Sequence, residues 1–127
     1  MTAPEPTILL VEDNEVNRDM LVRRLQRAGH EVATAADGEA ALTTMREQQP
    51  AVVLMDMNLP VKDGWTACRE AQQDAFIADI PIIALTAHAM EEDKHRALEA
   101  GCSDYATKPV DFPGLLEKIA AQFDARP

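Results

Sequence analysis

Three acidic residues directly follow apolar runs, and this placement predicts a chemical site. Glu12 and Asp13 follow the run at 7–11, and Asp56 follows the run at 51–55. If the two runs are neighbouring parallel strands, their carboxyl ends meet at the edge of the sheet where open α/β folds bind ligands. Three carboxylates brought together there repel one another, and such a cluster usually holds a hard cation such as Mg²⁺.

Each acid also has a purely structural explanation. Asp13 or Asn14 could cap a first helix, because both side-chain types accept bonds from backbone N–H groups. Asp56 could initiate the turn that follows it. Capping does not require a second carboxylate at Glu12, and a turn does not require an acid at the end of five apolar residues. We therefore favour a functional site while both alternatives stay open.

Composition limits the classes of protein to which the chain can belong. Its 127 residues and 46% hydrophobic content suffice for one domain with one core. The formal net charge of −10 argues against direct binding to nucleic acid, because that binding depends on positive charge. No apolar stretch approaches the roughly 20 residues of a membrane helix, and the leader at 1–6 does not resemble a signal peptide. We expect a cytoplasmic protein without membrane contact.

Strand and helix patterns alternate five times along the chain. The runs at 7–11, 51–55 and 80–85 are continuously apolar, as expected for central parallel strands covered on both faces. The more polar segments at 31–35 and 104–107 are predicted edge strands. This alternation predicts an α/β fold, a doubly wound five-stranded parallel sheet with helices on both faces and right-handed crossovers.

Five helices are predicted. The first follows Asn14, the next three occupy about 38–48, 64–75 and 89–100, and the last lies near the end of the chain. The first is expected to bury one face, formed by Val16, Met20, Leu21, Leu25 and Ala28, and the last a face formed by Leu115, Leu116, Ile119, Ala120 and Phe123. Gly29 and Gly101 are predicted to end two of the helices.

The cysteines and histidines do not form a recognisable site. Cys68 and Cys102 lack C-x-x-C spacing, and we interpret them as reduced core thiols rather than a disulfide. His30, His88 and His95 lack the spacing of metal ligands and are expected at the surface. The sequence also contains no glycine-rich loop of the kind that binds nucleotide phosphates.

Several motifs in fixed order give the chain a resemblance to a known family. They are Val11-Glu12-Asp13-Asn14, Leu54-Met55-Asp56-Met57-Asn58-Leu59-Pro60 with Asp63-Gly64, Ala84-Leu85-Thr86-Ala87, Ala100-Gly101-Cys102 with Asp104-Tyr105, and Thr107-Lys108-Pro109. Over about 7–124 the chain resembles the receiver domain of bacterial two-component response regulators, with a leader at 1–6 and a tail at 125–127. The resemblance implies a flavodoxin-like strand order 2-1-3-4-5.

The resemblance implies roles for several residues of the first three motifs. Asp56 would be the phosphoacceptor. Mg²⁺, with Mn²⁺ as an alternative, would be held by Asp13, Asp56 and the backbone carbonyl of Asn58, with Glu12 reaching it through water. The hydroxyl of Thr86 would donate a hydrogen bond to the phosphoryl group.

The remaining implied roles concern access, charge and switching. Ala87 would leave room for the phosphoryl group, and Lys108 would contact one of its oxygens, aimed by a cis peptide at Pro109. Tyr105 would be the aromatic residue that moves when Thr86 does. Asn58 and His88 would tune how fast water removes the phosphate.

The expected function is a phosphoacceptor signalling domain that catalyses at most its own phosphorylation and dephosphorylation. The resemblance implies a donor phosphohistidine on a sensor histidine kinase or histidine phosphotransfer protein, and a downstream protein target on the face of the fourth helix, fifth strand and fifth helix. We expect a free-standing regulator, with a receiver from a hybrid sensor kinase as the alternative.

Two other readings receive less weight. A Mg²⁺-dependent phosphohydrolase of the haloacid-dehalogenase type would carry D-x-D at the nucleophile, whereas Asp56-Met57-Asn58 stands here. A degenerate receiver that works without phosphate is disfavoured because every required position is filled.

Overall fold

The computed structural model describes residues 7–57, 59, 61–86, 91–108 and 110–124. In these residues five strands alternate with five helices, in the order β1 (Thr7–Val11), α1 (Glu15–Arg27), β2 (Glu31–Ala35), α2 (Gly38–Gln48), β3 (Val52–Asp56), α3 (Gly64–Gln73), β4 (Ile82–Thr86), α4 (Glu91–Glu99), β5 (Asp104–Thr107) and α5 (Phe112–Asp124). The predicted elements are all present, and their ends differ from the predicted ends by at most two residues.

The strands form one parallel sheet in the order β2-β1-β3-β4-β5, which confirms the predicted order. The continuously apolar strands β1, β3 and β4 occupy the centre, and the more polar β2 and β5 form the edges. Central strands are covered on both faces, so each of their residues gains by being apolar. In contrast, β2 leaves Glu31 and Thr34 exposed.

Helices cover both faces of the sheet. Alternate residues of the central strands point to opposite faces, so that Leu9 and Val53 belong to one buried cluster and Leu10 and Leu54 to the other. The first cluster includes buried residues of α2, α3 and α4, namely Ala41, Leu42, Met45, Ala67, Cys68, Ala71 and Ala97. The second includes buried residues of α1 and α5, namely Leu21, Leu25, Leu115 and Ile119.

Side-chain caps and glycines define several helix ends. Asn14 accepts a hydrogen bond from the backbone N–H of Asn17 at 2.9 Å, which confirms that it caps α1. Gly29 and Gly101 have φ of 94° and 103°, the left-handed conformation that glycine adopts without steric cost. Both predicted helix-ending glycines are therefore confirmed.

The predicted core face of α1 is wrong at its N-terminal half. Leu21 and Leu25 are buried, but 76% of Val16 and 49% of Met20 is exposed. Ala28 is also exposed, as is Ala120 on the predicted core face of α5. The apolar periodicity of both helices therefore extends beyond the part of each helix that packs against the sheet.

No helix in the described residues is long and apolar enough to cross a membrane.

Gly64, the first residue of α3, packs directly against the end of β3. A Cβ atom at this position would lie 2.6 Å from the Asp56 carbonyl oxygen and 2.7 Å from the Met57 Cα, both backbone atoms that cannot move aside cheaply. The missing side chain therefore lets α3 begin beside the strand that ends in Asp56.

Replacing Gly64 with alanine should reduce the free energy of unfolding by about 1–3 kcal/mol, the usual cost of overpacking. Urea denaturation of both proteins measures the difference. Gly114→Ala is the matched control, because its new methyl group would meet only the side chain of the exposed Asp111. Equal loss of stability in both variants would contradict the close approach at Gly64.

Candidate functional site

The carboxyl ends of the central strands bring the predicted acids together. Val11, the last residue of β1, is level with Met55 of β3, so Glu12 and Asp56 each lie one residue beyond this pair. The backbone N–H of Glu12 donates to the Ala35 carbonyl at 3.0 Å and holds the chain after β1 against β2. Only 2% of Glu12 and 4% of Asp56 is exposed.

Lys108 supplies the positive charge at this edge. It follows β5, and its backbone N–H donates to the Thr86 carbonyl at 2.8 Å. Its Nζ donates to Asp56 Oδ2 at 2.9 Å and to Glu12 Oε2 at 3.4 Å. Thr86, the last residue of β4, is 3% exposed beside the same edge. The structure thus brings together four of the residues identified in the sequence.

The third acid completes a group of oxygen atoms. Carboxylate oxygens of Glu12, Asp13 and Asp56 all lie within 4.8 Å of one another, with Asp13 exposed and the other two buried. Mg²⁺ prefers oxygen ligands and keeps several waters, so few protein ligands suffice for it. Two buried acids beside an open one give ligands on the protein side and space for water on the other, and the residues therefore fit this ion.

The proton affinity of Glu12 reflects this crowding. Burial raises its pKa from 4.5 to about 7, aided by a hydrogen bond to Asp56 and by the negative charge of that residue. The Lys108 ammonium and the Asn17 amide act in the opposite direction. Without a bound metal ion, therefore, the site favours a proton on Glu12 over two adjacent charged carboxylates.

Lys108 responds to the same neighbours. Burial alone would lower its pKa, but the hydrogen bond to Asp56 and the charges of Asp56 and Glu12 outweigh burial and raise it. The ammonium form is therefore the stable form at neutral pH.

Two residues that hold Glu12 were not identified from the sequence. Asn17 donates its Nδ2–H to Glu12 Oε1 at 3.2 Å, and Arg18 donates its Nη1–H to the Glu12 backbone carbonyl at 2.9 Å. Both lie in the first turns of α1. Their polar character was the available signal, but the sequence alone did not show that this turn passes over Glu12.

A groove runs from the acids along α1. Its volume is about 380 Å³, and it is lined by Glu12, Asn17, Met20, Leu21, Arg24, Lys108 and Val110. The exposed part of Met20 thus lies beside the acids rather than on an unrelated surface.

Tyr105 lies on β5, away from the acids. It is half-buried and packs against the cluster shared with α2, α3 and α4, and the Lys118 Nζ lies 5.4 Å from its ring centroid. The predictions for Asn58, Ala87, His88 and Pro109 lie outside the described residues.

This arrangement has the parts that phosphoryl transfer to a carboxylate requires. The buried Asp56 carboxylate lies 2.9 Å from the Lys108 ammonium and within 4.8 Å of the oxygens of Glu12 and Asp13 that could bind a cation. Positive charge on two sides of a carboxylate can stabilise the charge of an incoming phosphoryl group.

Comparison with known proteins gives consistent matches. Residues 8–120 match the family described as response regulator receiver domain. The polar-differentiation response regulator DivK of Brucella ovis is 34% identical over 113 residues, which is 89% of this chain and 92% of that protein. Against two other curated relatives, both transcriptional regulators, the chain spans only about half the length, 48% and 50%.

Two solved structures are informative about the site. The receiver domain of the sensor histidine kinase PA1611 from Pseudomonas aeruginosa, with a magnesium ion coordinated in its active-site cleft, is 37% identical with a TM-score of 0.88, covering 96% of this chain and 100% of that chain. The receiver domain of Ssk1 from Saccharomyces cerevisiae, crystallised with the histidine phosphotransfer protein Ypd1, is 32% identical with a TM-score of 0.83, covering 94% and 89%.

With its strand order, its acidic edge and these matches taken together, the chain belongs to the response regulator receiver domain family of two-component signalling.

Proposed function

We propose that this receiver domain accepts a phosphoryl group from a phosphohistidine onto Asp56 with Mg²⁺, and that phosphorylation switches its binding to a downstream protein. The observation that carries the proposal is the position of the Asp56 carboxylate, 2.9 Å from the Lys108 ammonium and within 4.8 Å of oxygens of Glu12 and Asp13. We propose no catalysis beyond the domain's own phosphorylation and dephosphorylation.

In the proposed reaction, an Asp56 carboxylate oxygen forms a bond to phosphorus while the phosphorus–nitrogen bond of the donor breaks. The electron pair of that bond stays on the imidazole. Asp13, Asp56 and the Asn58 carbonyl would hold Mg²⁺, and Glu12 would contact it through water; the bound ion would supply positive charge near the phosphoryl oxygens. Lys108 exchanges part of its contact with Asp56 for a phosphoryl oxygen and neutralises charge there. Mn²⁺ has the same ligand preference and would also serve.

Switching would begin with the new charge on Asp56. A phosphoryl group adds about −1.5 to −2 charge and three acceptor oxygens, which would attract the hydroxyl of Thr86 and the ammonium of Lys108. Tyr105, whose β5 is hydrogen-bonded to the β4 that ends in Thr86, would then move inward. We propose the face of α4, β5 and α5 as the surface for the downstream target.

Four further roles follow from the family alone. Ala87 would leave room for the phosphoryl group, Asn58 and His88 would tune its hydrolysis, and a cis peptide at Pro109 would aim Lys108.

The phosphodonor would be a sensor histidine kinase or a histidine phosphotransfer protein. The pairing of the Ssk1 receiver with Ypd1 supports this class of partner. On this chain, Val16 and Met20 of α1 have exposed apolar side chains, and Met20 lines the groove that also contains Glu12 and Lys108. A helix of the donor that covered them would bring a histidine near Asp56.

For the protein as a whole, we propose a free-standing cytoplasmic regulator, with a receiver of a hybrid sensor kinase as the alternative. The long match to DivK supports the first and the match to the PA1611 receiver supports the second.

Incubation with Mg²⁺ and acetyl phosphate should add one phosphoryl group to the chain, measured by intact mass. The adduct should survive acid and be lost in base, as expected for an acyl phosphate on Asp56. Lys108→Ala should slow its formation by roughly 10²–10³-fold, the usual effect of removing a group that stabilises transition-state charge.

Asp56→Asn and a chelator should both abolish the adduct, whereas Asp19→Asn, which changes an exposed acid on α1, should not. Lys118→Ala is the matched lysine control. A phosphoryl group that persists in Asp56→Asn would refute Asp56 as the acceptor.

Metal-free protein should lose stability as pH rises from about 4.5 to about 7, because in this interval folded Glu12 keeps a proton that the unfolded chain has lost. Mg²⁺ must displace this proton, so its affinity should rise by up to about tenfold per pH unit below 7 and then level off. Denaturation and Mg²⁺ titration followed by Trp65 fluorescence measure both effects. In Glu12→Gln, the Glu12 part of both slopes should vanish; unchanged slopes would contradict this assignment.

Val16→Glu should slow phosphotransfer from a phosphorylated histidine phosphotransfer protein by about tenfold or more, because it places charge in a contact that must lose water. Phosphorylation by acetyl phosphate should stay unchanged. Phe76→Glu is the control. Phe76 is 65% exposed but lies before the amino end of β4, whereas the acids lie at the carboxyl ends of the strands. Equal effects of Val16→Glu on both donors would argue against docking through α1.

A further inference from the structure

The two cysteines, 34 positions apart in sequence, are neighbours in the core. Cys68 Sγ and Cys102 Sγ are 3.3 Å apart, and both thiols are free. Cys68 lies on α3, and Cys102 lies in the turn between α4 and β5. The structure confirms the prediction of buried, unbridged thiols, but their proximity was not predicted.

The two sulfur atoms are close to bonding distance. A disulfide requires a sulfur–sulfur distance of about 2.05 Å, so the two atoms must close by little more than 1 Å, roughly the effect of small side-chain rotations. Both cysteines belong to one buried cluster, to which α3, α4 and the turn after α4 also contribute the small residues Ala67, Ala71, Ala97 and Ala100.

We propose that Cys68 and Cys102 are a site of reversible oxidation. A two-electron oxidant of thiols, such as glutathione disulfide, would convert the pair into an intramolecular disulfide. This proposal does not depend on phosphorylation. In cytosolic proteins disulfides are usually transient or redox-sensing, and a pair of free thiols already in contact fits that class.

The proposed chemistry proceeds by two thiol–disulfide exchanges. The Cys102 thiolate attacks glutathione disulfide, forming a Cys102–glutathione bond and releasing one glutathione thiolate. The hydrogen bond to Cys102 and burial raise the pKa of the Cys68 thiol, so Cys68 loses its proton only once the turn has opened. Its thiolate then attacks Cys102 Sγ, forming the internal disulfide and releasing the second glutathione. Two protons from the cysteines end on the two glutathione thiols. The protein loses two hydrogen atoms, and glutathione disulfide is reduced.

Cys102 is the reasonable point of entry. It retains 5% exposure whereas Cys68 has none. The Cys102 turn follows Gly101, which has φ of 103° and whose carbonyl accepts a hydrogen bond from Gln72 Nε2 at 3.3 Å. Local opening of one turn therefore exposes Cys102, while exposure of Cys68 requires displacement of α3.

The disulfide would connect α3 to the corner that leads into β5. In the reduced protein two backbone hydrogen bonds hold this corner. The Cys102 N–H donates to the Ala97 carbonyl at 3.0 Å, and the Ser103 N–H donates to the Ile82 carbonyl at 2.8 Å. A covalent bond would restrain opening of this corner, and Tyr105 follows it by three residues.

The test uses the full chain, reduced and then equilibrated in glutathione buffers of increasing oxidised fraction, followed by acid quench, alkylation and intact mass. We expect a monomer about 2 Da lighter that carries no glutathione and recovers both thiols with dithiothreitol. Peptide mapping should join Cys68 to Cys102, and amide exchange at Ser103 should slow in the oxidised form. Cys68→Ala should instead retain one glutathione on Cys102, because the resolving thiol is absent.

Three results would overturn the proposal. Wild-type protein that keeps a stable glutathione adduct would show that Cys68 does not resolve it. A disulfide that forms only in urea, and not in protein with a native circular dichroism spectrum, would place closure in the unfolded chain. Two unmodified thiols in a buffer that modifies Cys68→Ala would show that the native pair is protected rather than reactive.

Discussion

The site depends on two buried carboxylates, those of Glu12 and Asp56, held side by side at the carboxyl ends of β1 and β3. The β1–β3 register places Glu12 next to Asp56, where neither can move away without disrupting the centre of the sheet. Burial makes two adjacent negative charges costly, and the raised pKa of Glu12 expresses that cost. Lys108 offsets it now, and a cation or a phosphoryl group with its metal would change the balance. A chemical event at this edge therefore alters the forces on strands β1, β3 and β5.

The two apolar clusters make that edge rigid enough to hold the charges. Residues of β1 and β3 alternate between a cluster under α2, α3 and α4 and a cluster under α1 and α5, so both faces of each central strand are fixed. Close approach at Gly64 seats α3 against the end of β3, and Arg18 ties α1 to the backbone after β1. The acids are thus positioned by packing that is independent of their own charges.

Two regions outside the acidic site differ in how accessible they are to other molecules. Val16 and Met20 continue the apolar pattern of α1 but remain exposed, and Met20 lines the groove that contains Glu12 and Lys108. On the opposite face, the turn after α4 brings Cys102 against Cys68 beneath the surface. The first arrangement suits contact with a donor protein, whereas the second can change only by local opening. The acidic edge lies between them.

The sequence by itself determined the elements, their order along the chain and the acids at the carboxyl ends of β1 and β3, because continuous apolar runs, helical periodicity and helix-ending glycines are local signals. The strand order came from resemblance to a family, and the sheet of the structure confirms it. Only the tertiary structure decided that Val16 is exposed, that Asn17 and Arg18 hold Glu12, and that the cysteines touch. These outcomes depend on where a helix lies relative to the end of the sheet and on contacts between distant residues, and neither periodicity nor residue type specifies such distances.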